Sequence, residues 1–154
     1  MKFFSNILAL AIVAASFFLT GCDKTKPYDL TTPPSLVHFI GGKTQIYSVL
    51  NDPAPAYTIL VGTTDKANVD RLVTYNVTYS SGAVPGTDFT ISGGTNNQLV
   101  IPAGQTRASI SVNAVYAQYP FGASDTLVFT LGNPSVDPAK FLDTVRLVIS
   151  GPSN

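Results

Sequence analysis

The chain has no glutamate: all nine of its acids are aspartates. Glutamate is a helix former and aspartate a turn residue, so the acids suit strands and turns better than helices. Charge is scarce altogether. Charged residues make up 12% of the chain, against roughly 25% in a typical soluble domain, and the formal net charge is +0. That leaves no electrostatic footprint for a nucleic acid. Cys22 is the only cysteine, which excludes an intrachain disulfide; folding must rest on packing. His38 is the only histidine. A zinc site, which needs several Cys or His ligands, is therefore out of reach. No serine sits in a Gly-x-Ser-x-Gly elbow, so His38 has no evident nucleophile to serve. Nine scattered aspartates without a motif read as solvated turns rather than as a carboxylate pair for glycoside hydrolysis.

Only one long apolar run occurs. Phe3 to Leu19 follows Lys2 and is broken by Ser5, Asn6 and Ser16. It is shorter than the ~20 residues of a membrane span and is followed by small residues, as in a secretory leader. It ends in Leu19-Thr20-Gly21-Cys22, which resembles the bacterial lipobox. That resemblance implies cleavage before Cys22 and lipid on its sulfur and its freed amine. Each buried methylene is worth about 0.8 kcal/mol, and two or three acyl chains anchor stably where one is marginal. Residues 1–21 thus read as a lipoprotein signal peptide and residues 22–34 as a tether. The tether holds Pro27, Pro33 and Pro34 with polar Asp23, Lys24, Thr25 and Lys26. Extended, it reaches roughly 40 Å at about 3.1 Å per residue. The expected location is a membrane of the bacterial cell envelope, the outer membrane, with its facing left open by Asp23 standing next to Lys24.

What remains, residues 35–154, has the length of one domain. Its pattern is strand after strand. Leu36–Ile40 is followed by Gly41-Gly42, then Gln45–Leu50. Tyr57, Ile59 and Val61 alternate with polar or smaller neighbours. So do Val73, Tyr75, Val77 and Tyr79; Ile110 and Val112; Leu127, Phe129 and Leu131; and Val145, Leu147 and Ile149. Period-two alternation puts one set on a buried face. Val77, Ile110, Val112, Leu127, Phe129 and Leu147 are the predicted common interior. The turn at Pro102-Ala103-Gly104 is expected to bring Leu99–Ile101 next to Thr106–Val115. Asn133-Pro134 breaks a strand, and Asp137–Phe141 is expected to form one helical turn. No amphipathic helix and no repeat occurs. Strands at this spacing predict an all-β sandwich.

The stretch Gly86-Thr87-Asp88-Phe89, Val100-Ile101-Pro102-Ala103-Gly104-Gln105-Thr106 and Asp125-Thr126-Leu127-Val128-Phe129-Thr130-Leu131 resembles Calx-beta domains. It is closer still to a branch of that superfamily in envelope lipoproteins of Bacteroidetes-type bacteria. The resemblance implies an immunoglobulin-like, Greek-key β-sandwich. It also raises calcium, because Calx-beta domains that bind it gather acids at one end of the sandwich, and calcium wants six to eight oxygens. Asp65, Asp70, Asp88 and Asp125 are the candidates. The run from Asn113 to Ser124, where such domains place paired acids, has none. The expectation is no metal, no cofactor and no catalysis.

Two features point elsewhere. The connection Tyr116-Ala117-Gln118-Tyr119-Pro120-Phe121-Gly122 puts three aromatics between strands, which either stack on sugars and fill a partner's pocket or, with Tyr119 and Phe121 folded back, plug the open end of the sandwich. Asp125-Thr126-Leu127 and Asp143-Thr144-Val145 resemble an envelope O-glycosylation acceptor, which marks Thr126 and Thr144. The sequence therefore points to a lipid-anchored, non-catalytic binding or assembly module for a protein or glycan partner. The rival readings are a purely structural envelope protein and a glycan hydrolase. A binding module should expose one aromatic or apolar patch at a loop end.

Overall fold

A computed structural model describes residues 35–132 and 137–153. The leader, the tether, Cys22 and the break at Asn133-Pro134 lie outside the described residues. Ten strands follow one another: β1 (Leu36–Ile40), β2 (Thr44–Ser48), β3 (Tyr57–Thr63), β4 (Arg71–Tyr79), β5 (Phe89–Ser92), β6 (Gln98–Ile101), β7 (Arg107–Ala114), β8 (Ser124–Leu131), β9 (Asp137–Pro138) and β10 (Thr144–Ser150). They make two five-stranded sheets, ordered β5-β7-β3-β1-β9 and β2-β10-β8-β4-β6. The chain is an all-β sandwich, and its connections pass repeatedly from one sheet to the other.

The alternation explains the layers. Along β8, Leu127, Phe129 and Leu131 are buried while Thr130 is exposed; along β10, Val145, Leu147 and Ile149 are buried. Register keeps these sets opposite one another, with Phe129 beside both Val145 and Val77, and Leu127 beside Leu147. The other sheet contributes Val37, Phe39, Ile59, Val61, Ile110 and Val112. Of the six residues expected to share the interior, five are fully buried and Val77 is half-buried against them. The core carries no unpartnered buried side-chain polar atom among the described residues.

Two local expectations are corrected, and one junction is located between the sheets. The Pro102-Ala103-Gly104 turn does join β6 to β7, but the two strands do not pair. β6 lies beside β4 in one sheet and β7 between β5 and β3 in the other. The turn is a crossover between sheets, because both strands carry a buried face and each needs its own sheet to bury it. Asp137–Phe141 is not a helical turn. Asp137–Pro138 runs parallel to Leu36–Val37 as β9, and the next residues follow the same edge, with Ala139 N–H donating to Val37 O and Phe39 N–H to Leu142 O. Proline is tolerated on such an edge. Finally, β1 and β2 belong to different sheets. Gly41, with φ of +108°, makes the step between them, a backbone region that L side chains avoid.

Register also fixes the two ends of the sandwich. β1 begins beside the end of β3 and the start of β7 (Val37↔Thr63, Gly62↔Arg107). At this Ser35 end, Ser35 Oγ donates to Asp65 Oδ1 at 2.6 Å and Arg71 Nη2 to Asp65 Oδ2 at 2.7 Å. These two donors, Arg71 first, hold the Asp65 carboxyl below its ordinary pKa against the opposing effect of desolvation. At the other end β2, β4, β7 and β10 finish, and β3, β5 and β8 begin.

Candidate functional site

Connections 49–56, 80–88 and 115–123 and the tail 151–153 all gather at the end opposite Ser35. The third of them holds the aromatic residues, and its shape comes from Tyr119. A single 3-10 turn, Tyr116–Gln118, is closed by Gln118 N–H to Val115 O and Tyr119 N–H to Tyr116 O. It swings Tyr119 into the sandwich, where the side chain is 2% exposed. The buried phenol still needs an acceptor. Its hydroxyl donates to Asp125 Oδ2 at 3.0 Å. The other oxygen, Asp125 Oδ1, accepts the Ser80 hydroxyl at 3.2 Å, and Ser80 Oγ in turn accepts Thr126 N–H at 3.1 Å. Burial, and then the bond to Asp125 and its charge, push the Tyr119 phenol well above the ordinary tyrosine value, so it stays a donor.

With Tyr119 turned inward, its neighbours are left outside. Phe121 is 61% exposed and Tyr116 37%. The adjoining connection adds Val84 at 48%, and Val115 is exposed too. A backbone bond joins the two connections, Val115 N–H donating to Asp88 O at 2.8 Å, and the Asp88 side chain closes its own loop by accepting Val84 N–H at Oδ2, 2.7 Å. The tail closes the other side, with Gly122 N–H on Pro152 O and Gly151 N–H on Ala123 O. The exposed apolar side chains therefore stand on a braced base. The aromatic loop divides its labour: Tyr119 plugs the sandwich, while Tyr116 and Phe121 face out.

The four acids considered for calcium are separated. Asp65 and Asp70 lie at the Ser35 end, where Asp70 Oδ1 accepts Ala103 N–H. Asp88 and Asp125 lie at the Tyr119 end, already engaged by Val84, Tyr119 and Ser80. Among the described residues no group of three or more His, Cys, Asp or Glu side chains is placed to hold a metal ion. His38 sits half-buried in the middle of β1 opposite Gly62, its Cε1 3.5 Å from where a Cβ on that glycine would stand. Thr126 is half-buried and its Oγ1 accepts Arg146 Nη2 at 3.3 Å; Thr144 is exposed at the start of β10. A shallow cavity of about 320 Å³ lies along β6, lined by Leu72, Gly93, Gly94, Thr95, Gln98 and Val100. None of these side chains titrates, so the cavity offers no acid or base.

The sequence analysis missed Asp125 as the acceptor that pins Tyr119, and Val84 and Val115 as parts of the exposed patch. Val84 did carry a signal. In Gly82-Ala83-Val84-Pro85-Gly86 it is an apolar residue confined to a turn, where it has no strand face to bury it.

No family model matches the chain, and no curated protein does. Solved structures do share its fold. The CBD1 domain of Calx in its apo form is 18% identical, with a TM-score of 0.56, over 78% of this chain and 99% of that one. CBD12 from CALX1.2 is 20% identical, with a TM-score of 0.56, over 75% of this chain and 44% of that one. A candidate carbohydrate-binding protein of Bacteroides ovatus is 16% identical, again with a TM-score of 0.56; 76% of this chain covers 37% of it. The chain thus matches just over a third of the Bacteroides protein and a whole CBD1 domain. The fold is the Calx-beta-like, immunoglobulin-like sandwich.

Proposed function

We propose that the protein is a non-catalytic binding module of the cell envelope, tethered through lipid on Cys22, that engages a glycan or protein partner with the Tyr119 end of its sandwich. The observation that carries this reading is the pair of outward aromatics, Phe121 and Tyr116, in one loop held by the Tyr119–Asp125–Ser80 bonds. An exposed apolar cluster is costly in water unless something covers it. Aromatic side chains contribute large contact area at little entropic cost and stack on sugar faces. The Bacteroides ovatus neighbour lends support to a glycan as the partner. A hydrolase would need two carboxylates facing each other across a cleft, whereas Asp88 and Asp125 spend oxygens on bonds that hold the loops.

The test is titration calorimetry of the full chain in detergent against a panel of envelope and host polysaccharides, with Phe121→Ala and Tyr116→Ala alongside. Loss of either aromatic should weaken binding about tenfold or more, the scale of an interface hot spot. Binding that is indifferent to both substitutions would place the site elsewhere. A panel without binders, together with an envelope protein captured by the wild type and not by Phe121→Ala, would make the partner a protein.

A further inference from the structure

We propose that the open edge strand β2 pairs antiparallel with β2 of a second copy of this chain, joining two five-stranded sheets into one continuous sheet. The inference is independent of the Tyr119 end and concerns a different surface.

β2 is the last strand of its sheet and pairs only with β10, in parallel. The ladder is anchored by Arg146 N–H on Lys43 O and Val49 N–H on Ser150 O, each at 2.8 Å. In a parallel ladder alternate residues bond the neighbour. Residues 43, 45, 47 and 49 therefore face β10. The N–H and C=O groups of Thr44, Ile46 and Ser48 point the other way, off the sheet, and no described residue pairs with them there.

The other three edges are blunted. On β6, Gln98 closes its N–H and C=O on Thr95, and Pro102 follows the strand. On β5, Phe89 O accepts Gly86 N–H. β9 is two residues long and contains Pro138. Proteins guard sheet edges with short strands, charges and prolines. β2 has five residues and none of these guards: Thr44-Gln45-Ile46-Tyr47-Ser48 is uncharged and lacks proline.

What such an edge accepts is an extended strand, and its chemistry selects a copy of itself. It carries no charge to attract a charged peptide. Paired about a two-fold axis at Ile46, it sets Ile46 beside Ile46 of the second copy, and Thr44 beside Ser48 of the second copy. No like charges meet within β2. Ile46 is 65% exposed and stands beside the half-buried Val148 on the outer face. In the pair, these two residues and their symmetry mates form one apolar strip across the junction. A two-fold contact of this kind closes on itself, so it stops at the dimer.

The test is sedimentation equilibrium of the full chain in detergent, with amide hydrogen exchange at residues 44, 46 and 48. The wild type should dimerise, and the Ile46 amide should exchange more slowly as concentration rises. Ile46→Lys sets two ammonium groups opposite each other, a destabilising cross-strand pair, and should weaken dimerisation about tenfold or more. At concentrations where both chains are monomeric its melting temperature should match the wild type's, because residue 46 is exposed, and the wild type should gain on it as concentration rises. Thr130→Lys, on the same outer face but on an inner strand, should dimerise like the wild type. A wild type that stays monomeric up to about 100 μM, where a micromolar dimer would be saturated, overturns the proposal. So does a dimer that Ile46→Lys leaves intact.

Discussion

At the far end Asp125 holds two loops at once. It accepts from Tyr119 in the 115–123 connection and from Ser80 in the 80–88 connection, and its own strand begins one residue earlier. One carboxylate thus ties two loops to the start of β8. Hydrogen bonds to an ionised acceptor are worth about 1.5–3 kcal/mol. Tyr119→Phe keeps the ring in its socket and removes one such bond, so it should cost about 1–2 kcal/mol in urea denaturation, Asp125 being only partly buried. The same substitution has a signature at high pH. The Tyr119 phenol is raised above its ordinary 10.0 in the folded state. The folded chain therefore keeps a proton that the unfolded chain gives up above about pH 10. The stability tied to that proton is complete below pH 10 and drains away as pH rises towards the folded value. Alkaline titration of stability should fall more steeply for the wild type than for Tyr119→Phe. That an aromatic of this loop could plug the sandwich was legible in the sequence; that Tyr119 does so and Phe121 does not was not. Tyr119 stood among three aromatics in one loop, and nothing local distinguishes the one that folds inward from the two that do not. The difference comes from Asp125, which is brought to it by tertiary structure.

At the scale of elements, alternation was the legible part. β4, β7, β8 and β10 follow their period-two pattern closely, because each is half-buried and a one-residue slip would turn every apolar side chain outward. The clearest test uses adjacent residues. Phe129 is fully buried, 6.2 Å from the Tyr75 ring, while Thr130 is exposed. Phe129→Ala should cost about 3–5 kcal/mol, and Thr130→Ala should stay within about 0.5 kcal/mol. Chemical denaturation giving the reverse order would mean that the face of β8 is misassigned. Pairing partners were less legible than strands. β6 and β7 read as neighbours because a short turn joins them, yet that turn crosses between sheets. Turn length reports how far apart two strand ends are, and facing sheets lie only about 10 Å apart, so a short turn serves either arrangement. β9 escaped because two residues carry no period. Its pairing to β1 depends on the path of 139–142 along the β1 edge, not on any local preference. At Gly93, with φ of +110°, the β5–β6 crossover packs so closely that a Cβ would collide with Ser109 O. By composition Gly93-Gly94-Thr95-Asn96-Asn97 reads as a hairpin turn, but it joins strands of different sheets, and the crowding that demands Gly93 is not local.

The whole molecule has a direction. The described domain starts at Ser35, at the end where Asp65 and Arg71 lie; Phe121 and Tyr116 stand at the opposite end, whereas the exposed Phe141, just before β10, does not. Nine-residue β4 spans most of the distance between the two ends, roughly 30 Å at about 3.4 Å per residue. A chain held at Cys22 would reach the domain through residues 22–34 and join it at the Ser35 end, leaving Phe121 and Tyr116 on the side away from the attachment. The proposed anchor can be tested directly. Intact-mass analysis of membrane-extracted protein should show an acylated chain that begins at Cys22. Cys22→Ser removes the sulfur that takes the diacylglyceryl group, so the protein should leave the membrane fraction or keep its leader, while the domain itself should melt at an unchanged temperature. Two acyl chains anchor stably, so intact mass should show acyl groups on the wild type and none on Cys22→Ser, whichever fraction holds the variant. An unmodified wild-type chain that starts at another residue and stays in the soluble fraction would remove the anchor. The patch at the far end would then have no membrane to face away from.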